Sequence, residues 1–264
     1  MSNLPLSLSG VSPLEVAGTA AKKAGELLLA HFGCVKRIKH KSKGNLVTDV
    51  DILSEKLIIE HLKKEYPHFG ILSEESNSSA PTNGYTWVID PLDGTNNYTY
   101  SVPFFCVNIA LVRDDNLLVG VTYDPVRDEL FEAEVGEGAY INESPIRVTA
   151  VNSLKDSMIG LDLGYNEGLG KKMLETVNSL WGQVHCVRLI GSSSLGLAYV
   201  ACGRISLYFH RYLFPWDIAS GILLIREAGG EVLNWQGKPA KFRDTELIAS
   251  NTRLQREFRR RFGR

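Results

Sequence analysis

Apolar residues recur along this chain with two alternating periods, and each change of period marks an element. Residues 13–32 repeat apolar positions at helical spacing, with Ser12 placed to cap the helix, Pro13 in its first turn and Gly33 able to end it. Residues 35–43 carry five Lys or Arg and predict an exposed loop or hairpin, whose milder functional reading is a flap attractive to phosphates. Residues 52–66 predict a second helix that stops before Pro67. Residues 69–73 and 85–89 are short apolar, β-branched runs that predict buried strands, separated by a polar loop over 77–84. Residues 105–112, 117–123 and 129–133 then predict an antiparallel meander, with turns at 114–116 and 125–128.

From 149–155 the composition turns polar, and a domain boundary is expected there. Two domains follow: α+β over 1–150, carrying most of the candidate ligands, and α/β over 151–264. In the second half, strands at 157–163, 184–190 and 206–209 alternate with helices at 168–180, 192–202 and 215–228. Strands near Glu231 and at 246–250 precede a terminal helix. Such alternation predicts a mixed α/β layer.

Composition narrows the picture mainly by exclusion. The chain has 264 residues, of which 44% are apolar and 22% charged, the ordinary balance of a globular protein. A net charge of −1 favours no polyanionic partner. The arginines at 256, 259, 260, 261 and 264 have no interleaved aromatics, so they predict a solvated helix face and no nucleic-acid partner. No apolar run reaches bilayer length, and the first eleven residues lack a secretory pattern. Cys34, Cys106, Cys186 and Cys202 are scattered, which predicts free thiols in a reducing cytoplasm.

The chemistry concentrates where the second predicted strand ends, in Asp90-Pro-Leu-Asp93-Gly-Thr95. Asp90 and Asp93 leave the strand spaced so that one can bridge and one can flank hard divalent cations, which bind oxygen ligands and substrate phosphates together. The Leu92 carbonyl offers a further hard ligand, Gly94 permits a sharp turn, and Thr95 supplies a hydroxyl. A surface β-turn would use the same Asp, Pro and Gly residues. Glu74-Glu75, Asp49, Asp51 and Asp217 are acids at other element ends, and each alone reads first as a helix cap or a solvated charge. No Cys or His motif resembles a covalent phosphoryl acceptor.

Taken in order, Glu74-Glu75, Asp90-Pro-Leu-Asp-Gly-Thr-Asn-Asn-Tyr98 and Trp216-Asp217 resemble the inositol monophosphatase family of Mg²⁺-dependent, lithium-sensitive phosphatases. The resemblance implies a layered αβαβα sugar-phosphatase fold, a homodimer, two to three Mg²⁺ ions per site and a small phosphate ester as substrate. It matches Glu74, Asp90 and the Leu92 carbonyl to the first ion, and Asp90, Asp93 and Asp217 to the second. Glu74 would also help hold a third ion through water. It matches Thr95 and Asp51, within Val47-Thr-Asp-Val-Asp51, to the pair that positions the attacking water, for in-line hydrolysis without a phosphoenzyme. Leu92, Asp93, Gly94, Thr95 and Asp217 then face the substrate phosphate. Gly191, Ser192 and Ser193 line the alcohol side, although Ser here also serves as a helix cap. Asp49 receives no role, and Glu75 either orients water or is merely exposed.

One departure bears on substrate choice. Seven residues before the Asp of Trp-Asp, inositol phosphatases usually carry a hydroxyl-binding Glu; this chain has His210, followed by Arg211, and Ser206 replaces an upstream Asp. A titratable imidazole beside an Arg predicts a more anionic substrate, unless His210 merely packs. Inositol 1-phosphate leads; fructose 1,6-bisphosphate, histidinol phosphate and nucleotide 3′- or 2′-phosphates are rivals. A catalytically silent binding or regulatory protein is the alternative outside enzymology.

Overall fold

Local capping starts both N-terminal helices. In this computed structural model, which describes residues 4–34, 38–42, 45–76 and 84–262, Ser12 Oγ accepts Glu15 N at 3.2 Å and opens α1 (Pro13–His31). Helix α2 (Asp49–Glu65) begins earlier than its apolar pattern suggests, because Thr48 and Asp51 form a capping box: Asp51 Oδ2 accepts Thr48 N at 2.9 Å, and the Thr48 hydroxyl accepts Val50 N at 3.2 Å. Between these helices, β1 (Ile38–Ser42) and β2 (Asn45–Thr48) pair as the expected hairpin. The rest of the basic segment, residues 35–37 and 43–44, and most of the polar loop, residues 77–83, lie outside the described residues.

The chain continues through β3 (Gly70–Ser73), β4 (Tyr85–Asp93), the short α3 (Thr95–Thr99), β5 (Cys106–Arg113), β6 (Asn116–Asp124) and β7 (Glu129–Glu134). Two further short strands, β8 (Gly138–Ile141) and β9 (Ser144–Pro145), extend the expected meander. Then come β10 (Met158–Leu161), α4 (Glu167–Leu180), β11 (Cys186–Leu189), α5 (Ser193–Ala201), β12 (Leu207–His210), α6 (Pro215–Glu227), β13 (Glu231–Leu233), β14 (Leu247–Ser250) and α7 (Thr252–Phe262). Strands β3 to β9 form one seven-stranded sheet in sequence order, parallel only at β3–β4. A second sheet has the order β11-β10-β12-β14-β13.

Two-residue alternation decides what each sheet face covers. Trp87, Ile89, Ile109 and Leu111 pack with α1 and α2, while Val88 and Ala110, the intervening positions, pack with α5 and α6. In the second sheet Tyr208, Leu247 and Ala249 face α5 and α6, and Ile159, Leu161, Phe209 and Ile248 face α4 and α7. Helices α5 and α6 are therefore apolar on both sides, and the layers run αβαβα, as the resemblance implied. No helix among the described residues is long and apolar enough to cross a membrane.

Strand β4 runs past Ile89 into the acidic motif, and its ladder changes there. Asp90 lies opposite Asn108 but Asp93 lies opposite Cys106, so three residues on β4 span two on β5. In a regular strand positions 90 and 93 would face opposite sides; one extra residue returns both carboxylates to the same side. Helix α6 approaches the same sheet closely. A Cβ at Gly120 would lie 2.9 Å from the Ser220 Cα and its carbonyl oxygen, and Thr122 Oγ1 lies 2.9 Å from Ser220 Oγ.

Gly120→Val should therefore push α6 from the sheet and destabilise the protein by about 1–3 kcal/mol. Urea denaturation measures it, and an unchanged midpoint would show that the close approach is not required.

Candidate active site

Three chain segments converge where β4 ends. Asp90 and Asp93 come from the bulge, and Asp217 from the first turn of α6, where its Oδ2 accepts Phe214 N at 2.8 Å. One carboxylate oxygen from each of Asp90, Asp93 and Asp217 lies within 4.8 Å of the others. The Asn108 side chain ties β5 to the Trp216 carbonyl, setting the start of α6 against the bulge. Asp93 is held from its other side: Ser192 Oγ donates to its Oδ2 at 2.6 Å and Ser194 N at 2.7 Å, from the start of α5.

This gathering is electrostatically unfavourable on its own. Burial, then Glu74, Asp93 and Asp217, push the Asp90 carboxyl well above the ordinary carboxylate range. Burial also raises Asp93, against the hydrogen bonds from Ser192 and Ser194. Like charges out of water favour protonation unless a cation is shared among them. An all-oxygen donor set at this spacing suits a hard divalent ion, so the residues fit one. Glu74 and the Leu92 carbonyl line the same cleft, of about 240 Å³, with Asp90, Asp93 and Asp217.

Thr95 stands beside the cluster, its hydroxyl shared between Asp51 Oδ1 at 3.1 Å and the Leu92 carbonyl at 3.1 Å. Asp51 is 1% exposed, sits behind Thr95 and keeps its second oxygen on Thr48. Its pKa is raised by burial, and the hydrogen bonds from Thr48 and Thr95 oppose the rise. Gly94 has φ +92°, and a Cβ there would lie 3.0 Å from the Phe104 carbonyl oxygen, so glycine satisfies both the backbone angle and the space. Asp49 is exposed, in keeping with its having no assigned role.

The far side of the cleft is formed by Gly191, Ser192, Ser193, His210, Tyr165, Tyr212 and Phe214, so every expected alcohol-side residue lines it. His210 is 2% exposed and its Nδ1 accepts Tyr212 N at 2.9 Å. Burial pushes its pKa down to about 3, so the ring is neutral near pH 7 with its proton on Nε2. Arg211 does not line this cleft: it pairs with Glu246 at 3.2 Å and stacks on Trp235 with its guanidinium carbon 3.5 Å from the ring centroid. The expectation of a cationic His–Arg pair is therefore corrected, because burial discharges the imidazole and Glu246 draws the guanidinium away. Ser206 accepts Met158 N at 3.1 Å at the foot of β12, and is structural.

Sequence reasoning missed three residues. Asp162, after β10, lines the cleft and accepts Ile190 N at 3.0 Å, Gly191 N at 2.5 Å and Tyr208 OH at 2.8 Å; burial raises its pKa to about 7. Asn97 donates to the carbonyls of Phe104, Ile190 and Gly191 at 2.8, 3.3 and 3.2 Å, joining the two halves of the cleft. Glu55 is buried and holds the segment around Glu74-Glu75. An acid at a strand end before Gly164, and a second acid one helical turn beyond Asp51, were the available signals.

A largely buried carboxylate cluster that fits a hard divalent cation thus stands beside a threonine–aspartate pair, between two sheets. The family model described as "Inositol monophosphatase family" matches residues 12–262. A Xylella fastidiosa protein named "Nus factor SuhB" is 40% identical over 244 residues, covering 89% of this chain and 88% of that protein. The "Inositol-1-monophosphatase" of Rhizobium meliloti is 36% identical over 250 residues, covering 93% of this chain and 94% of that protein. The crystal structure of the extragenic suppressor protein suhB from Bartonella henselae superposes with a TM-score of 0.88 at 36% identity, over 93% of this chain and 96% of that one. The chain belongs to the inositol monophosphatase family. It is a phosphoric monoester hydrolase.

His210 also links the site to pH. Its folded pKa of about 3 lies below the ordinary 6.5, so the unfolded chain binds the extra proton and stability falls as pH drops through that window. His210→Gln removes this term. The wild type should lose stability relative to the variant below pH 6.5, at a limiting slope of about 1.4 kcal/mol per pH unit. Urea midpoints of both proteins at pH 7, 5.5 and 4.5 read the difference, and parallel curves would contradict a buried neutral ring.

Proposed function

We propose that this protein is a Mg²⁺-dependent phosphatase of small phosphate monoesters, with inositol 1-phosphate as its leading substrate. The observation that carries the reading is the convergence of Asp90, Asp93 and Asp217 beside the Thr95–Asp51 pair. Mg²⁺, held by these acids with Glu74 and the Leu92 carbonyl, would neutralise phosphate oxygens and lower the pKa of a bound water. Two to three ions fit the family pattern. Thr95, whose proton is shared between Asp51 and the Leu92 carbonyl, offers its oxygen lone pairs to the attacking water and orients it. Asp51, behind Thr95, would act on that water only through the Thr95 hydroxyl, and Glu74 is the carboxylate lining the cleft that could take its proton directly. Gly94, without a side chain, lets the phosphate approach the turn.

The alcohol end supports a neutral polyol over a bisphosphate. Asp162 presents a carboxyl group, His210 an uncharged Nε2–H, and Gly191, Ser192 and Ser193 backbone and hydroxyl groups, while Arg211 is committed elsewhere. Fructose 1,6-bisphosphatase, histidinol-phosphatase and nucleotidase activities remain the rivals within the same chemistry. The complete set Glu74, Asp90, Asp93, Thr95 and Asp217 argues against a silent binding protein. The division of labour we infer gives residues 1–150 most of the ligands, and residues 151–264 Asp217 and the alcohol pocket. Four free thiols support a reducing, cytoplasmic setting. Exposed Trp181, at the end of α4, and exposed Leu189, on edge strand β11, support a homodimer, which light scattering on the purified chain would read as twice the monomer mass.

The test is phosphate release across inositol, sugar, histidinol and nucleotide phosphates with Mg²⁺ and with EDTA. Release should be greatest from inositol 1-phosphate and vanish with EDTA; no Mg²⁺-dependent release from any substrate would end the proposal. Asp93→Asn should lower turnover on the order of 100-fold or more with the fold intact. His210→Glu should change the ranking of substrates, and an unchanged ranking would remove His210 from the specificity residues.

A further inference from the structure

Helix α2 turns one buried face toward the site, and only its first member, Asp51, has been given a part in the reaction. Asp51, Ser54 and Glu55 are spaced three and four residues from the first, so they share that face. All three are buried, at 1%, 0% and 6% exposure. Each reaches a different segment of the cleft. Asp51 accepts Thr95 Oγ1 at 3.1 Å, and Ser54 Oγ donates to the Pro91 carbonyl at 2.9 Å, within the bulge between Asp90 and Asp93. Glu55 reaches the segment that carries Glu74.

The Glu55 contacts bracket that residue. Its Oε2 accepts Ser73 Oγ at 2.5 Å on one side, and Glu75 N at 2.9 Å and Ser76 N at 3.3 Å on the other. Glu74 N itself donates to the Ile89 carbonyl at 3.2 Å, as the last rung of the β3–β4 ladder before the chain turns away. The chain around Glu74 therefore leaves the sheet, and a single carboxylate oxygen catches it by two amides and a hydroxyl. Such charge-assisted bonds in a buried setting are short and directional, and removing the acceptor leaves three donors to be satisfied elsewhere.

We propose that Glu55 is a positioning residue for the metal site: by gripping both flanks of Glu74 it sets where the Glu74 carboxylate enters the cleft, and so tunes the affinity for the divalent ion. This rests on the reading of Glu74 as a ligand. The other members of the α2 face give it a physical frame. One rigid helix carries three grips spaced over a single turn, so the Glu74 segment, the Asp90–Asp93 bulge and Thr95 keep fixed relative positions. Residues that hold ligands in place this way typically contribute about 10–100-fold to metal affinity.

The test uses Glu55→Gln and Glu55→Ala, with Glu74→Gln as reference, and isothermal titration of each purified protein with Mg²⁺ in the absence of substrate. Thermal melts establish that each variant is folded. Glu74→Gln should weaken Mg²⁺ binding. Glu55→Gln, which keeps an uncharged oxygen for the three donors, should weaken it about tenfold, and Glu55→Ala by more. The Mg²⁺ concentration for half-maximal phosphate release should rise in the same order, while turnover at saturating Mg²⁺ falls less. If Glu55→Ala does not fold, Glu55→Gln alone decides. Wild-type Mg²⁺ affinity in folded Glu55→Gln, with Glu74→Gln impaired, would overturn the positioning role. Wild-type affinity in Glu74→Gln would overturn the ligand reading, and the proposal with it.

Discussion

Carboxylates that repel one another, gathered out of water at the end of one strand, are the constraint around which the rest of the molecule is arranged. Asp90 is buried beside Glu74, Asp93 and Asp217, and no isolated segment would adopt that arrangement. It persists because each acid is fixed by a different part of the fold. A bulge in β4 re-aims Asp90 and Asp93, the serines of α5 hold Asp93, and the capping position of α6 holds Asp217. The cost of concentrating charge is offset by packing that is itself apolar and close, above all where α6 lies on Gly120.

The five layers serve that arrangement. Helices α5 and α6 are covered on both sides, so their N-termini are rigidly placed between two sheets. Asn97 and Asp162 then lock the connection between β11 and α5 to the two strand ends that border the cleft. The carboxylate side of the cleft is thus assembled mainly beside the first sheet, and the side bearing Gly191, Ser193 and His210 mainly beside the second. The proposed function divides along the same line: in that reading Asp90, Asp93, Thr95 and Asp217 serve the bond that is broken, and Gly191, Ser193, His210 and Asp162 face the group released.

Much of this was legible in the chain. The helix at 13–31 announced itself by Ser12, Pro13 and apolar spacing, and the meander by its turn residues. The acidic motif and its partners were legible as a set through their resemblance to the family, and Asp90, Asp93 and Asp217 do come together. Boundaries near the site were less legible, since Thr48 and Asp51 begin α2 by hydrogen bonding and not by apolar period, and β4 runs on through a proline. Glu55 and Asp162 were overlooked because a single acid on a helix or after a strand has no local signature. Their importance lies in donors that arrive from residues far along the chain.

The sequence by itself determined the elements, the ligand types and the chemistry available to them, because periodicity, capping and oxygen donors are properties of neighbouring residues. Only the tertiary structure decided the charge state of His210, the direction of Arg211 and the common side taken by Asp90 and Asp93. Those depend on burial, on a partner such as Glu246, and on a register shift against β5, none of which exists until distant segments meet.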